Sequence, residues 1–350
     1  MNELKFTFSD LIAGTILSID YPDQFDSQGT FMLETLDGRQ FQVKVTMACY
    51  AELIRNLGEP FQVAPSLKDI LTVGRLIHAY GVFYPEQDTL KFEAKHLLLF
   101  GVQSSELRFE SQDWWVRQIQ QLLNFYLESE FHVEEDGAID FKDFRTMLSS
   151  EGVKENGVQN LDTISRLIYG FASAYMLTGD ERALTASRRG CEYMQKHFKH
   201  ENSSEGICYW YSQIDLLPDG NMRKYIASTA GGNEGGNAIP CYEQIYALAG
   251  LTQTYRITGD PTLLKDIEHT ITFLNRHFKD HGPDGGYYSH IDPVTLSPHE
   301  DSLGINKERK NWNSVGDHAP AYLINLYLAT GKPEYADFLE YTFDLICEHF

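Results

Sequence analysis

Along the first hundred residues apolar and polar positions alternate, which is typical of strands with one buried face. Four segments show this period: 11–21, 30–45, 75–84 and 89–100. Asp37-Gly38 interrupts the second segment and predicts a hairpin turn, whereas ACYAELIRNL (48–57) predicts a short helix. Strands, one helix and closing strands together predict a small antiparallel β-barrel over residues 1–105.

From residue 112 onwards the apolar positions recur every three or four residues, the period of amphipathic helices. Seven helical segments follow from this pattern: 114–131, 160–180, 181–198, 238–260, 261–278, 318–332 and 333–350. The last six form three pairs, joined by Thr-Gly turns at Thr178, Thr258 and Thr330. Because these turns are 80 and 72 residues apart, we interpret each pair as one repeat of a helical hairpin.

The residues of the first two turns are those that end one helix and begin the next. Gly179 is expected to adopt the left-handed conformation that caps the first helix, and Asp180 to accept amide hydrogens at the start of the second. Pro261 falls in a first turn, where its missing N–H costs nothing. We therefore predict an α+β protein of two domains, in which the barrel precedes an (α/α) toroid over residues 112–350.

The barrel pattern resembles an OB-fold, a class that often binds oligonucleotides through a basic groove with exposed aromatics. Phe83, Tyr84 and Phe92 are the candidates for such contacts; alternatively they fill the barrel or pack on the next domain. The charge balance favours that alternative, since 50 Asp and Glu stand against 29 Lys and Arg, a formal net charge of -21. This field repels phosphate backbones and anionic membranes, so we expect neither as a partner.

Other features of the composition indicate a cytoplasmic protein without a metal site. The start, MNELKFTFSD, lacks the apolar stretch of a signal peptide, and no run of 18 apolar residues occurs. The five cysteines are widely spread and lack a CxxC pair, so we expect reduced thiols. The segment SHIDPVTLSPHED (289–301) has several metal-ligating residue types but no recognised ligand spacing, and we interpret it as a loop.

Residues 112–350 resemble the N-acylglucosamine 2-epimerase family. The resemblance rests on TISRLIYGFASAYMLTGD, HFKDHGPDGGYYSHID and NWNSVGDHAPAYLINLYLATGKPEY. It implies an (α/α)6 barrel of twelve helices, and an enzyme that interconverts sugars epimeric at C2, or aldoses and ketoses. Seven helices make an incomplete barrel, so we expect either that the sequence is a fragment or that a partner, such as a second copy of the chain, covers the open end.

Proton transfer at C2 of an open-chain sugar requires a base with a pKa near neutrality and a group that stabilises the enediolate oxygen. By resemblance, Arg166 is the family's arginine near the sugar oxygens, and His318 is one of its paired acid/base histidines. The sequence departs from the family at Ala321, where a glutamate usually accompanies that histidine. The second catalytic histidine of the family would lie beyond Phe350.

Five further residues are candidates for substrate binding. Trp312 and Asn313 lead directly into the histidine segment, and the family places polar groups facing the cavity at Tyr242, Glu243 and Tyr246. Glu243 is the candidate for the missing carboxylate, although a solvent-facing helical glutamate is the common alternative. Six aromatic residues are candidates for stacking on a sugar, and we expect roughly a third of them to touch ligand: Tyr209, Trp210, Tyr211, Tyr287, Tyr288 and Trp312.

The glycine-rich segment GGNEGGN (231–237) fits no phosphate-binding motif, because it lacks the Lys-Ser/Thr pair of the phosphate-binding loop and has no preceding strand. We interpret it as a mobile loop at the mouth of a cavity.

Three functions therefore remain open. The first is an epimerase or isomerase that acts on a monosaccharide or an N-acyl amino sugar without a cofactor. The second is a glycan hydrolase or lyase, for which Glu243 and Asp317 are the available carboxylates. The third is a non-catalytic carbohydrate-binding or scaffold protein, which Ala321 favours.

Overall fold

Two units make up the chain in this computed structural model, Met1–Trp115 and Val116–Phe350. The structure describes residues 6–20, 29–54, 67–86, 89–100, 112–132, 138–228 and 237–350. Strands dominate the first unit and helices the second, which confirms the α+β class.

Five strands of the first unit close into a barrel. The unit contains β1 (Phe8–Asp20), β2 (Gly29–Glu34), β3 (Gln40–Val45), β4 (Tyr50–Leu53), β5 (Leu76–Glu86) and β6 (Thr89–Leu99), with the short helix α1 (Leu67–Ile70). The sheet order is β3-β2-β1-β5-β6, and β3 also pairs with β6 in parallel, which closes the circle. All other pairs within the circle are antiparallel. The predicted small barrel is therefore confirmed.

The alternation seen in the sequence sorts side chains between the inside and the outside of this barrel. Its core is built from inward apolar residues, among them Ile16, Leu33, Val43, Ile77 and Leu97. Phe83 and Phe92 belong to this core, with exposed fractions of 5% and 2%. The alternative that these two rings fill the barrel is thus correct.

The hairpin turn at Asp37-Gly38 is confirmed, because β2 and β3 pair antiparallel and Gly38 has a φ of 80°. The helix predicted over residues 48–57 is wrong for its central part. Tyr50–Leu53 forms β4, which pairs in parallel with β6. The backbone of β6 forms hydrogen bonds with this segment, and Leu53 packs on the barrel core. These tertiary contacts favour a strand over the helix that the local sequence predicts. Residues 55–57 lie outside the described ranges.

All seven predicted helices are present in the second unit. They are α2 (Trp114–Phe131), α3 (Leu161–Thr178), α4 (Glu181–Tyr193), α5 (Cys241–Thr258), α6 (Pro261–His277), α8 (Ile324–Thr330) and α9 (Pro333–His349). A further short helix, α7 (Trp312–Val315), precedes α8. Wider π-helical turns extend α4 over Met194–Phe198 and precede α8 over Ala319–Leu323. None of the helices that the structure describes is long and apolar enough to cross a membrane.

The Thr-Gly turns end the first helix of each pair as predicted. Gly179, Gly259 and Gly331 all cap their helices in the left-handed conformation, with φ between 63° and 70°. The carboxylate of Asp180 accepts a hydrogen bond from the amide of Arg182, which caps α4. The same arrangement recurs at the start of α6.

The first helices of successive hairpins lie side by side and run parallel. The Ser165 hydroxyl donates to the Ala247 carbonyl oxygen at 3.1 Å, and farther along both helices Gln253 donates to Ser173 at 3.0 Å. α5 is covered on both flanks, by α3 on one side and by α8 with its preceding turn on the other. Because these helices are parallel, their N-terminal ends lie on the same side of the unit.

Short strands connect the hairpins at this side. They are β7 (Val158–Asn160), β8 (Lys199–Asn202), β9 (Ile207–Trp210), β10 (Gln213–Leu216), β11 (Met222–Tyr225), β12 (Ile239–Pro240) and β13 (His290–Ile291). β10 pairs with both β7 and β11. The Ser212 carbonyl accepts a hydrogen bond from the amide of Leu161 at 3.0 Å, which fixes this sheet to the start of α3.

Candidate functional site

Arg166 and Tyr246 meet at the N-terminal ends of α3 and α5. The guanidinium carbon of Arg166 lies 4.9 Å from the centre of the Tyr246 ring, within the range of a cation–π contact. Asp162, one turn earlier on α3, forms an ion pair with Arg166 and so directs the guanidinium towards Tyr246. The Arg166 side chain is 54% exposed, so its outer face is open to a ligand.

Glu243, in the first turn of α5, has the most unusual environment among the predicted site residues. Its side chain is 7% exposed, and Oε2 is buried without a hydrogen-bond partner among the described residues. Burial raises the pKa of Glu243 to about 7, and the hydroxyls of Ser212 and Ser228 counter this only in part. The phenol of Tyr242 is 3.5 Å from the other carboxylate oxygen, Oε1.

A third carboxyl, that of Asp317, belongs to the same group of charges. It precedes the π-helical turn of the third hairpin, and burial raises its pKa while Arg166 opposes the rise. Asp317 and Arg166 both act on the pKa of Tyr246, and Asp162 acts on that of Glu243. Arg166 thus interacts with Asp162, Asp317 and Tyr246, and Glu243 is linked to this group through Asp162.

His318 does not join this group. Its ring is fully buried against Tyr287, at 4.5 Å between centres, and against Phe338, at 5.1 Å. Nδ1 lies 3.0 Å from the Tyr322 hydroxyl, and Nε2 has no partner among the described residues. Burial lowers the pKa of His318 to about 3. Arg166 is not among the contacts that the described residues make with His318, and the role predicted for His318 stays a prediction.

Trp312 and Asn313 stand on the surface at α7. Trp312 is 47% exposed, and its ring lies against Gly316 and, at 5.5 Å between centres, against Phe350. Asn313 is exposed as well. Neither residue makes a contact with the Arg166 group among those the structure defines, so their predicted role in substrate binding also stays a prediction.

The aromatic loops serve mainly as framework. Trp210 and Tyr287 are buried in the core of the unit, and Tyr209 stacks on Phe273 at 4.7 Å. Gln244 bonds to both backbone groups of Trp210, at 2.8 and 3.0 Å, which anchors this loop beside the start of α5. Each large aromatic side chain buries a large apolar area, so these rings are well suited to anchoring the loops.

Sequence reasoning missed three members of the site. Asp162 had a detectable signal, because an acid four residues before an arginine on one helix is a favourable pair. Ser212 and Ser228 had none, since they lie on loops that only the β7–β10–β11 sheet brings to α5.

Two loops predicted from the sequence have different outcomes. Residues 231–236 of the glycine-rich segment lie outside the described ranges, so its predicted role at a cavity mouth stays untested. The segment after His290 forms a turn: Asp292 accepts hydrogen bonds from the amides of Val294 and Thr295 and from the Ser302 hydroxyl. Within the described part of the chain no three metal-ligating side chains cluster.

An open cavity of about 550 Å³ lies next to the Arg166 group, between α2 and α3. Its walls are mostly apolar, and Arg166, Thr163 and Gly170 form the side that α3 contributes. This volume is in the range of pockets that hold small molecules.

With this geometry the chain can be compared with proteins of known structure. No known family profile and no curated protein matches the sequence. A crystal structure of D-mannose isomerase matches with a TM-score of 0.51 at 20% identity, over 69% of this chain and 53% of that one. The cellobiose 2-epimerase of Spirochaeta thermophila matches with a TM-score of 0.45 at 17% identity, over 65% and 53% of the two chains. The unsaturated glucuronyl hydrolase of a Bacillus species gives 0.44 at 16%, over 67% and 55%.

The chain has a fold like that of the N-acylglucosamine 2-epimerase family. The match to D-mannose isomerase confirms this part of the predicted resemblance and concerns the fold alone. The chain spans about half the length of the solved structures that it matches.

Proposed function

We propose that the second unit acts on a monosaccharide or an N-acyl amino sugar by proton transfer at C2. The observation that carries the proposal is the Glu243 carboxyl, which is buried, has a pKa raised to about 7, and interacts with Asp162, the ion-pair partner of the exposed Arg166 guanidinium. A carboxyl with this pKa is present in both protonation states at neutral pH, as a general acid and base must be. The fold found in D-mannose isomerase is consistent with it.

In this proposal Glu243 removes the proton from C2 of an open-chain sugar and returns it to the enediolate. Arg166 faces the oxygen that becomes negative, where a positive charge in a partly dry site stabilises the intermediate. Tyr246 offers a ring face and a phenol beside it. His318 has a lesser role here than in the predicted scheme, because its neutral imidazole packs among aromatic rings.

Exchange of the C2 hydrogen tests this proposal. The protein is incubated in heavy water with N-acetylglucosamine, N-acetylmannosamine, glucose or mannose, and deuterium at C2 is followed by NMR. We expect incorporation in at least one sugar, with a pH profile of kcat/KM that contains an ionisation near pH 7. The Glu243→Gln variant should lose about 10²–10⁴-fold in rate, the usual contribution of a general acid–base group.

Glu181→Gln is the matched control, since Glu181 is an exposed glutamate in the first turn of another helix, α4. It should leave the rate unchanged. Exchange that survives in Glu243→Gln at the wild-type rate would remove Glu243 from the mechanism.

Glycoside hydrolysis is the second candidate, and one observation favours it. Glu243 and Asp317 are both carboxyls with pKa values raised by burial, which is the environment of an acid that protonates a leaving group. Hydrolysis needs the two carboxyls roughly 5–9.5 Å apart across the substrate. Release of nitrophenol from aryl glycosides, lost in both Glu243→Gln and Asp317→Asn, would select this function over proton transfer.

Non-catalytic carbohydrate binding is the outcome if a sugar binds but neither reaction occurs.

Within this proposal residues 1–105 form an OB-like module and residues 112–350 an incomplete (α/α)6 toroid. The barrel order β1-β2-β3-β6-β5 and its single parallel pair support the OB-like assignment.

A further inference from the structure

A second pocket of the helical unit lies away from the Arg166 group. It has a volume of about 560 Å³ and is formed by three parts of the chain: residues 138–142, the C-terminal half of α4 with its π-helical turn, and β11. Its apolar lining includes Ile139, Tyr193 and Met222. Lys142, Lys196 and His197 also line the pocket and are among its polar residues.

The charges of this pocket are not balanced. Arg189 and Glu192 also line it, but they neutralise each other in an ion pair at 2.9 Å. The carboxylate of Asp140, which also lines the pocket, accepts a hydrogen bond from the amide of Lys142 and is the remaining negative charge against the two lysines. The ammonium groups of Lys142 and Lys196 have no acidic partner among the described residues.

A third lysine strengthens the positive field from another direction. Lys224, on β11, places its ammonium 5.2 Å from the centre of the Tyr211 ring rather than beside a carboxylate. The His197 ring packs on Tyr193 at 4.6 Å. Burial lowers the pKa of His197, and Lys196, Lys224 and Lys142 lower it further, whereas the Asp140 carboxylate raises it, so three ammonium groups and one carboxylate act on this ring.

A positive cluster is unexpected on a chain with a formal net charge of -21. Lysines on an acidic protein normally find carboxylates, as Lys199 does at Asp266 and Lys307 does at Asp301. Because salt at about 0.1 M screens charges beyond roughly 10 Å, the nearby lysines and not the overall charge decide which ions enter the pocket.

We propose that this pocket binds the phosphate or sulfate group of a small ligand such as a sugar phosphate, with Lys142 and Lys196 contacting the anion. The volume fits a ligand of that size, and the apolar floor offers Tyr193 and Met222 to the C–H face of a sugar. Lysine contacts a phosphate as a point charge, so two lysines from separate elements hold a doubly charged group without a fixed fork geometry.

Calorimetric titration with glucose 6-phosphate, inorganic phosphate and glucose tests the proposal and separates its sources. We expect saturable binding of glucose 6-phosphate, weaker binding of inorganic phosphate and none of glucose. If inorganic phosphate binds as tightly as the ester, the site is for the free ion; equal binding of glucose would overturn the proposal, because the anion would then be irrelevant.

Lysine variants distinguish binding in this pocket from nonspecific electrostatic attraction to the protein surface. Lys142→Gln with Lys196→Gln should weaken glucose 6-phosphate at least tenfold, while the control pair Lys265→Gln with Lys307→Gln should change it less than twofold. Equal weakening by both pairs, or no weakening by the first, would overturn the site. A melting curve for each variant verifies that it folds.

His197 gives a readout that does not depend on the heat of binding. A bound dianion favours the imidazolium, so the pKa of His197 measured by NMR should rise when glucose 6-phosphate is added. His197→Gln assigns the resonance. An unchanged pKa at a concentration that saturates the calorimetric signal would place the ligand elsewhere on the protein.

Discussion

At the scale of single residues, burial decides the chemistry of Glu243 and His318 in opposite directions. Both side chains lose water, which always disfavours the charged form of a group. Glu243 therefore stays protonated up to about pH 7, and His318 stays neutral down to about pH 3. As a result the carboxyl, and not the imidazole, changes protonation near neutral pH.

Glu243 makes stability depend on pH. Its folded-state pKa, about 7, is above the ordinary value of 4.5, so the folded state holds the proton more tightly than the unfolded state. Stability is therefore present at low pH and is lost as the pH rises from 4.5 to 7, by about 3 kcal/mol in total. As the pH rises from 5 to 8, the free energy of unfolding of Glu243→Gln should increase relative to that of the wild type by roughly 2–3 kcal/mol, as measured by urea unfolding. If the free energies of unfolding of the two proteins follow the same pH dependence, the raised pKa of Glu243 is contradicted. The control variant Glu181→Gln should show the same pH dependence as the wild type.

His318 should remain neutral throughout the physiological range. Because its pKa is lowered to about 3, its NMR resonances should not shift between pH 5 and pH 8, while those of exposed histidines do. A transition of His318 near pH 6.5 would show that water reaches the ring, and would restore it as a candidate acid or base.

At the scale of elements, close contact between α3 and α5 holds the site together. Gly250 of α5 lies so near α3 that a Cβ atom would come 2.6 Å from the Ser165 carbonyl oxygen. The Gly250 amide also donates a hydrogen bond to the Ser165 hydroxyl at 2.9 Å. This approach sets the spacing of the two helices and thereby the contact between Arg166 and Tyr246.

A pair of glycine variants tests this contact. Gly250→Ala should destabilise the protein by about 1–3 kcal/mol, because the added methyl group meets backbone that cannot move aside. Gly170→Ala, within α3 and with open space around it, should instead stabilise by about 0.5–1 kcal/mol. Denaturant midpoints measure both. A Gly250→Ala protein as stable as the wild type would mean that the helices are farther apart.

At the scale of the whole molecule, charge should keep nucleic acids away from the barrel. Phe83 and Phe92 are inside, and the formal charge of -21 repels phosphates. Fluorescence anisotropy with a labelled 20-nucleotide single strand should show no saturable binding at about 0.15 M salt. Saturable binding that falls with salt would contradict this expectation.

The sequence by itself determined the elements that depend on local rules. The strand period, the turn at Asp37-Gly38 and the Thr-Gly caps all follow from contacts within a few residues, so the predicted hairpins are correct. β4 was missed because its residues become a strand only by pairing with β6, some 46 residues away in the sequence. A short segment without a strong period takes the structure that its neighbours offer.

Only the tertiary structure decided which polar residues have unusual chemistry. The sequence named Arg166, Tyr246 and Glu243 as candidates, yet the pKa of Glu243 depends on how deeply α5 is covered and on loops from elsewhere in the chain. It also named His318, which local pattern cannot distinguish from a ring that faces open space. Burial and electrostatics depend on all neighbours at once, and those neighbours are distant in sequence.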